Sequence, residues 1–409
     1  MFRRISILLF TISILISLNQ SFAQITTQAQ WDSIYNEIYP TSEPLLDVGN
    51  NEESVYSWQA HYWIRAYVSM AQTFSDSLYL DKAVKLIDHI FNQTDEARYN
   101  RSELDLANEP YFSAPLPYLQ NRNLPAPGWR NGSFGDGWRI QTLDDGQITH
   151  AIMRFVELVL SNEKFSVYQH KAWDYVEKVV KIVDSHNSLF VFNRFQDVPG
   201  TYFYPRQDGA GLWSGDVPIN HAATMGVTLL LLDKVKGGGT EYRKMAEAIL
   251  AYFKLNIGLQ KNNSYIWKYN FRNENSPVED FNHGHLDISF LVLACQLGLD
   301  ISKDEMAHLA NTLTQNILRN DGSLNWFIDG NTEQNQDSFW PIGFDWIDLT
   351  EFSPQIFEIA KTYYSKNYPT PTWARPFLGW AEILRWQKKM NYTIDEQAPE
   401  PPQNVNLEY

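Results

Sequence analysis

One cysteine in 409 residues rules out a disulfide within the chain, so packing alone must hold the fold. Cys295 stands in the apolar run FLVLACQLG and is expected to be a buried core thiol. Positive charge is short as well: 33 Lys and Arg face 48 Asp and Glu, a formal net charge of −15. That balance argues against nucleic acid as a partner, and an anionic ligand would need cations gathered locally. Long apolar runs are missing except at Ile5–Leu18, which falls short of the ~20 residues of a membrane span. Arg3 and Arg4 before it, and Ser21-Phe22-Ala23 after it, mark residues 1–23 as a cleaved secretory signal. The mature protein is expected to start near Gln24 and to work in the periplasm or outside the cell. No cysteine stands directly after the apolar run or at the cleavage point, so no lipid or other membrane anchor is expected. Metal-ligand motifs are lacking too. His283 and His285 stand two residues apart near Asp280 and Asp287 without completing a recognised spacing, so neither metal nor other cofactor is expected.

What the chain does have is aromatic residues, 14 %, with 14 Trp and 22 Tyr. Such faces suit stacking on sugar rings, although large helical cores use them too. It also has helices in pairs. Val55, Trp58, Tyr62, Ala66 and Met70 recur at steps of three or four over 54–74, and Leu80, Val84, Ile87 and Phe91 do so over 77–91. Further helices are expected at 147–160, 166–184, 219–235, 242–261, 286–299, 303–318, 353–364 and 372–388. The stretch SLFVFNRFQDVPGTYFYP alternates like a short β-hairpin. Residues 98–144 form a long, aromatic, Gly- and Pro-rich connection of the kind that usually carries function.

Apolar inner helices alternating with more polar outer ones indicate stacked helical hairpins. Three inner helices open alike: a Gly- and Trp- or Phe-bearing loop, a polar residue, then His. The junctions are Thr149-His150, Asn220-His221 in VPINHAATMGV, and Asn282, His283 and His285 in SPVEDFNHGHLDISF. With His61 they place one His near the start of successive inner helices. The expected fold is all-α: an (α/α) toroid of six or seven hairpins over 24–392, with short β-hairpin excursions in loops. Residues 393–409, including DEQAPEPPQNV, read as a disordered tail.

The loops at one mouth of such a toroid carry Arg130, Arg139, Arg194, Arg206, Lys268 and Arg272 among Trp129, Trp138, Tyr202, Tyr204, Trp213, Tyr265 and Tyr269. Aromatic faces for sugar rings and guanidinium groups for carboxylates describe a cleft for an acidic polysaccharide. The plainer alternative pairs those arginines with Asp136, Asp197, Asp208 and Asp216. Cleaving a uronic-acid polymer by β-elimination needs a group that neutralises the sugar carboxylate, a base for the C5 proton and an acid for the leaving oxygen. Asn220, His221, Tyr269 and His285 are the catalytic candidates, with Trp138, Arg139, His150, Arg206, Trp213 and Arg272 as substrate-binding ones. Each has a bland reading as well: a His or Asn at a helix start is often only a cap.

Taken together, the signal segment, the toroid and the INHAAT and EDFNHGHLDISF stretches resemble polysaccharide lyase family 38, or another (α/α)-barrel lyase family. The resemblance implies action on alginate or glucuronan by a Tyr and His pair. It makes Asn220 the carboxylate neutraliser, His221 or His285 the base or its helper, and Tyr269 the acid, with Tyr202, Tyr204 and Tyr265 as rivals. In related alginate lyases an Arg precedes the catalytic Tyr, whereas Arg272 follows Tyr269 here. The competing readings are a glycoside hydrolase of the unsaturated glucuronyl hydrolase or α-mannanase type, and a non-enzymatic glycan-binding protein. A hydrolase would use a carboxylate pair drawn from Asp136, Asp144-Asp145, Asp216 and Asp345.

Overall fold

The computed structural model describes residues 25–133, 135, 137–332 and 339–397. The expected signal at 1–23, Asp136 and the residues beyond 397 lie outside them. The main helices are α1 (Gln28–Ile38), α2 (His61–Phe74, entered through a π turn at Tyr56–Ala60), α3 (Leu78–Phe91), α4 (Thr142–Ser161) and α5 (Gln169–Ser185). They continue as α6 (Ile219–Val235), α7 (Glu241–Asn256), α8 (Phe281–Gln296), α9 (Lys303–Asn311), α10 (Gln355–Asn367) and α11 (Ala374–Gln397). Helix α11 runs past the boundary expected at 392. Helix α7 stops five residues before the expected 261, because the chain turns into a strand at Gly258–Leu259.

Two populations of helix account for the architecture. In α6 every residue from Ile219 to Asp233 is buried, and α8 is buried from Gly284 to Ala294. A helix that is apolar all round has to sit inside. By contrast, α3 buries Tyr79, Leu80, Ala83, Leu86, Ile87 and Ile90 on one face and turns Asp81 and Lys85 outward. The inner elements pack side by side in the order α2, α4, α6, α8, a pair of 3-10 turns (Trp340–Gly343 and Trp346–Glu351), then α11, which returns to α2. The outer partners are α3, α5, α7, α9 with its π extension, α10, and α1 against α11. Six hairpins therefore close a ring, the last one joining the two ends of the chain: Trp31 Nε1 donates to the Phe377 carbonyl at 3.2 Å. The fold is an (α/α) toroid.

Close approach between inner helices depends on small residues. A Cβ on Gly146 would lie 2.9 Å from the Met225 backbone nitrogen, and one on Gly226 would lie 2.7 Å from the Phe290 ring. The hydroxyls of Thr149 and Thr228 meet at 3.0 Å across the same α4–α6 contact. Among the described residues, three small sheets decorate the loops. β1 (Tyr111–Ser113) pairs with β2 (Trp138–Arg139), and β3 (Phe190–Phe195), β4 (Val198–Pro205) and β5 (Leu212–Asp216) form an antiparallel meander. β6 (Gly258–Leu259) pairs with β7 (Tyr265–Ile266). Cys295, expected in the core, is only partly buried, because it lies in the last turn of α8 where the helix emerges.

Candidate active site

Because inner helices alternate with outer ones, all inner-helix starts open on one mouth of the ring, and the long loops lie there with them. The polar side chains near this mouth fall into two groups.

The rim group surrounds the starts of α6 and α8. Pro218 leads into α6, and the Ile219 amide donates to the Tyr269 carbonyl at 3.2 Å, which ties the helix start to the loop after β7. Asn220 is fully buried, yet neither its Oδ1 nor its Nδ2 has a partner. Next to it His221 is pushed down to about 3, first by burial and then by the nearby His283, so its imidazole is neutral. The Tyr269 ring meets the His283 ring edge-on with centroids 5.4 Å apart. Burial raises the Tyr269 phenol well above its usual value, and Tyr204, Glu279, Asp280 and Asp287 add to the effect. Tyr269 therefore keeps its proton and can give it up only to a strong developing base. Burial likewise pushes Tyr204 up to about 12, with Arg139 opposing it. Arg139 also covers the Phe112 ring at 4.7 Å, while Trp138 packs on Gly132 beneath Arg130.

Deeper along the axis is a group of a different kind. Asp345 accepts from Arg65 Nη2 at 2.5 Å and contacts His285 Nδ1 at 2.5 Å, with all three buried. Burial pushes the Asp345 carboxyl up, but Arg65 and His285 together outweigh it and hold it well below the usual carboxylate range. Burial also holds His285, His61 and His150 down, and the Arg65 charge lowers each further while Asp345 pulls the other way. His150 Nε2 accepts from Arg154 Nε at 3.2 Å. His61 has both ring nitrogens unpartnered, and the amide of Gln147 and the hydroxyl of Tyr62 are bare in the same way.

The adjacent aspartates at the start of α4 divide sharply. Asp145 is locked: it accepts from the Trp129 amide at 3.1 Å, and His186 Nε2 stands 2.8 Å away. A Cβ on Gly128 would strike its carboxylate at 2.2 Å, so the loop is moulded around it. Asp144 accepts from Asn131 Nδ2 at 3.0 Å and leaves Oδ1 bare. Burial pushes its carboxyl up to about 6.

Of the ten residues singled out from sequence, Asn220, His221 and Tyr269 come together at the rim, with Arg139 and Trp138 on the adjoining strand. His150 and His285 face the deeper axis. Arg206 and Arg272 are committed elsewhere: Arg206 pairs with Asp208 at 2.8 Å and lies over Trp213, and Arg272 pairs with Asp197 at 3.3 Å and stacks on Phe195 at 3.8 Å. Trp213 is half exposed on β5. Sequence reasoning passed over His283 as the ring beside Tyr269, and over Gln147, Arg65 and Glu279. Arg65 was within reach, since it follows His61 by four residues on one helix face; Glu279 was not, because nothing local marks a Glu beside an N-cap as buried.

Among the described residues one cluster could hold a cation: Glu279, Asp280 and His283 bring one donor atom each within 4.8 Å of the others. At the opposite end of the ring lies a cavity of about 440 Å³ lined by Arg65, Arg154, Lys234 and Arg385 with Glu157, Asp348 and Glu382. Its cations are already paired, as in Lys234–Glu157 at 2.6 Å and Arg385–Asp348 at 2.5 Å, and the rim residues are not part of it.

No family model and no curated relative matches this chain. Solved structures do. An inactive double aspartate-to-alanine variant of the α-1,6-mannanase GH76A of Salegentibacter sp. HEL1_6, in complex with α-1,6-mannotetrose, superposes with a TM-score of 0.53. The two are 11 % identical, over 88 % of this chain and 97 % of that one. Cellobiose 2-epimerase from Bacillus thermoamylovorans B4167 gives 0.39 at 11 % identity over 75 % of this chain and 94 % of the other, and a polysaccharide lyase gives 0.37 at 9 % over 89 % and 98 %. At such identities the mannanase likeness speaks to architecture alone, and it places this chain among the (α/α)-toroid proteins.

Proposed function

We propose that the protein is a glycan-processing enzyme, and specifically a lyase that cleaves a uronic-acid polysaccharide such as alginate or glucuronan by β-elimination. The carrying observation is Asn220: a fully buried amide with neither end bonded, beside the neutral His221 and next to the Tyr269–His283 pair. Buried polar atoms are nearly always satisfied, so a bare amide at a mouth points to a ligand that completes it. In this reading Asn220 binds the sugar carboxyl group and draws electron density from it. His221 takes the C5 proton, the C4–O bond breaks as the C4–C5 double bond forms, and Tyr269 protonates the leaving oxygen. Arg139, Trp138 and Tyr204 line the approach for the polymer. His285 holds Asp345 and has no part in the proton transfers. The secretory segment expected at 1–23 would bring the enzyme to polysaccharide outside the cytoplasm.

Asp144 favours a second reading, hydrolysis of a glycan by carboxyl groups. A buried acid pushed up to about 6 with a free oxygen suits a general acid. It sits in an adjacent aspartate pair, and two aspartates are also what was replaced in the inactive mannanase. Asp145, however, is bonded on both oxygens.

A single assay separates the two. The mature protein is incubated with alginate, glucuronan and neutral mannan while ultraviolet absorbance and reducing ends are followed together. A joint rise on a uronan is the expected result. Reducing ends alone would mean hydrolysis, and silence on all three would leave a binding protein.

A further inference from the structure

The start of α8 gathers more negative charge than the fold neutralises. Glu279 and Asp287 are wholly buried, and each leaves one carboxylate oxygen, Glu279 Oε2 and Asp287 Oδ1, without a hydrogen-bond partner. The partners they do have are neutral. The Asp280 amide donates to Glu279 at 3.0 Å, and Trp267 Nε1 donates to Asp287 at 2.9 Å. Several other buried carboxylates meet a basic side chain, as Asp345 meets Arg65, Asp95 meets Arg130 and Asp145 meets His186, whereas Asp144 and Asp216 are each held by a neutral donor, Asn131 and Tyr252. Among the described residues no Lys or Arg forms a salt bridge with Glu279 or Asp287. A buried carboxylate pair without a counter-charge is costly, and either a proton or a cation has to make up the difference.

The surroundings favour the cation. The donor atoms of Glu279, Asp280 and His283, within 4.8 Å of one another, are spaced as ligands of one ion are. Ligands about 2–2.2 Å from a metal centre lie no more than about 4.4 Å apart, so only a small adjustment is required. Asp280 Oδ2 lies 2.6 Å from His283 Nδ1, and with that contact kept, Nε2 is the imidazole nitrogen left to ligate. We propose that Glu279, Asp280 and His283 hold one divalent cation of the Zn²⁺ or Mn²⁺ type, with Asp287 behind them. Two carboxylates and an imidazole suit those ions better than Ca²⁺, which prefers oxygen alone. The role of the ion rests on the elimination reading above: beside Tyr269 it would add its charge to the hydrogen bond from Asn220 at the substrate carboxylate, a charge that Arg206 and Arg272, paired with Asp208 and Asp197, do not supply.

The test uses the full mature chain, stripped with chelator, dialysed, and titrated calorimetrically with Zn²⁺ and separately with Mn²⁺. About one equivalent is expected to bind. His283→Ala, at a partly exposed side chain, and Glu279→Gln, which keeps the volume, should each weaken binding at least tenfold, with circular dichroism checking that both fold. Uptake well below one equivalent, or the same uptake in both variants, overturns the site and leaves Glu279 and Asp287 sharing a proton. One equivalent lost in both variants supports the site even where no polysaccharide is cleaved. Uronan cleavage by a protein that takes up no metal would sink the cation while leaving the elimination reading standing.

Discussion

The rim and the Arg65–Asp345–His285 group on the axis of this toroid use the same residue types to opposite ends. On the axis, Arg65, Asp345 and His285 satisfy one another across the ring, from residues 65, 345 and 285 on three separate elements. At the rim, Asn220 is unbonded, and the Tyr269 ring packs edge-on against the His283 ring. Polar groups that complete each other hold a structure together, whereas those left incomplete wait for something from outside. The comparison teaches that burial of a His does not identify a catalytic one. Its partners do.

The comparison should break hardest at Asp345. Asp345→Ala leaves the Arg65 guanidinium buried without its counter-charge, and a loss of roughly 3–5 kcal/mol is expected in chemical denaturation. At the rim the expected effect is on turnover instead. Tyr269→Phe should lower uronan cleavage by about 10²–10⁴-fold while the denaturation midpoint stays near wild type. Full activity in that variant would move the acid role to another tyrosine. Asn220→Ala should cost about 10²–10³-fold in kcat and leave stability equal or slightly raised, because an unsatisfied buried amide is removed.

His221 sharpens the contrast through pH. Its folded value, about 3, lies below the unfolded 6.5, so the unfolded chain binds more protons between them. Stability from this group is therefore present above 6.5 and lost as pH falls towards 3. In His221→Gln that part of the acid limb should flatten, which a series of urea melts from neutral to acidic pH would reveal. The smallest effect belongs to Arg272→Ala. Its pair with Asp197 is solvent-facing, so stability should stay within about 1 kcal/mol of wild type. A large loss of substrate affinity there would mean that the arginine leaves Asp197 to meet the polymer.

Much of the frame was legible in the residues. The span of α6 could be read to the residue, since Pro218 cannot continue a strand ladder and the run to Val235 is apolar on every face. The β-hairpin at SLFVFNRFQDVPGTYFYP was readable from its alternation, and the third strand, Leu212–Asp216, was not, because only β4 calls it into register. Helices α4 and α8 start five residues earlier than periodicity indicates: Asp280 caps α8 through the His283 amide at 2.8 Å, ahead of the apolar run. No helix is expected between 318 and 353, yet the two 3-10 turns there, Trp340–Gly343 and Trp346–Glu351, fill the fifth inner position, packed between α8 and α11.

The candidate site was legible in kind and less so in membership. Asn220, His221 and Tyr269 are marked by their places at a helix start and in an aromatic loop. His283 and His285, two residues apart, look interchangeable along the chain. On a helix two residues turn a side chain by about 200°, so one faces Tyr269 and the other faces Asp345.

Local patterns of apolar and polar residues determined the helical hairpins, their alternation and the end of the ring where the long aromatic loops gather. Those properties depend on neighbours a few positions away. Which histidine meets an aspartate, which arginine is already paired, and which amide is left bare were decided only when the ring closed. Such pairings join residues up to 280 positions apart, as Arg65 and Asp345 are, and no periodicity along the chain carries that information.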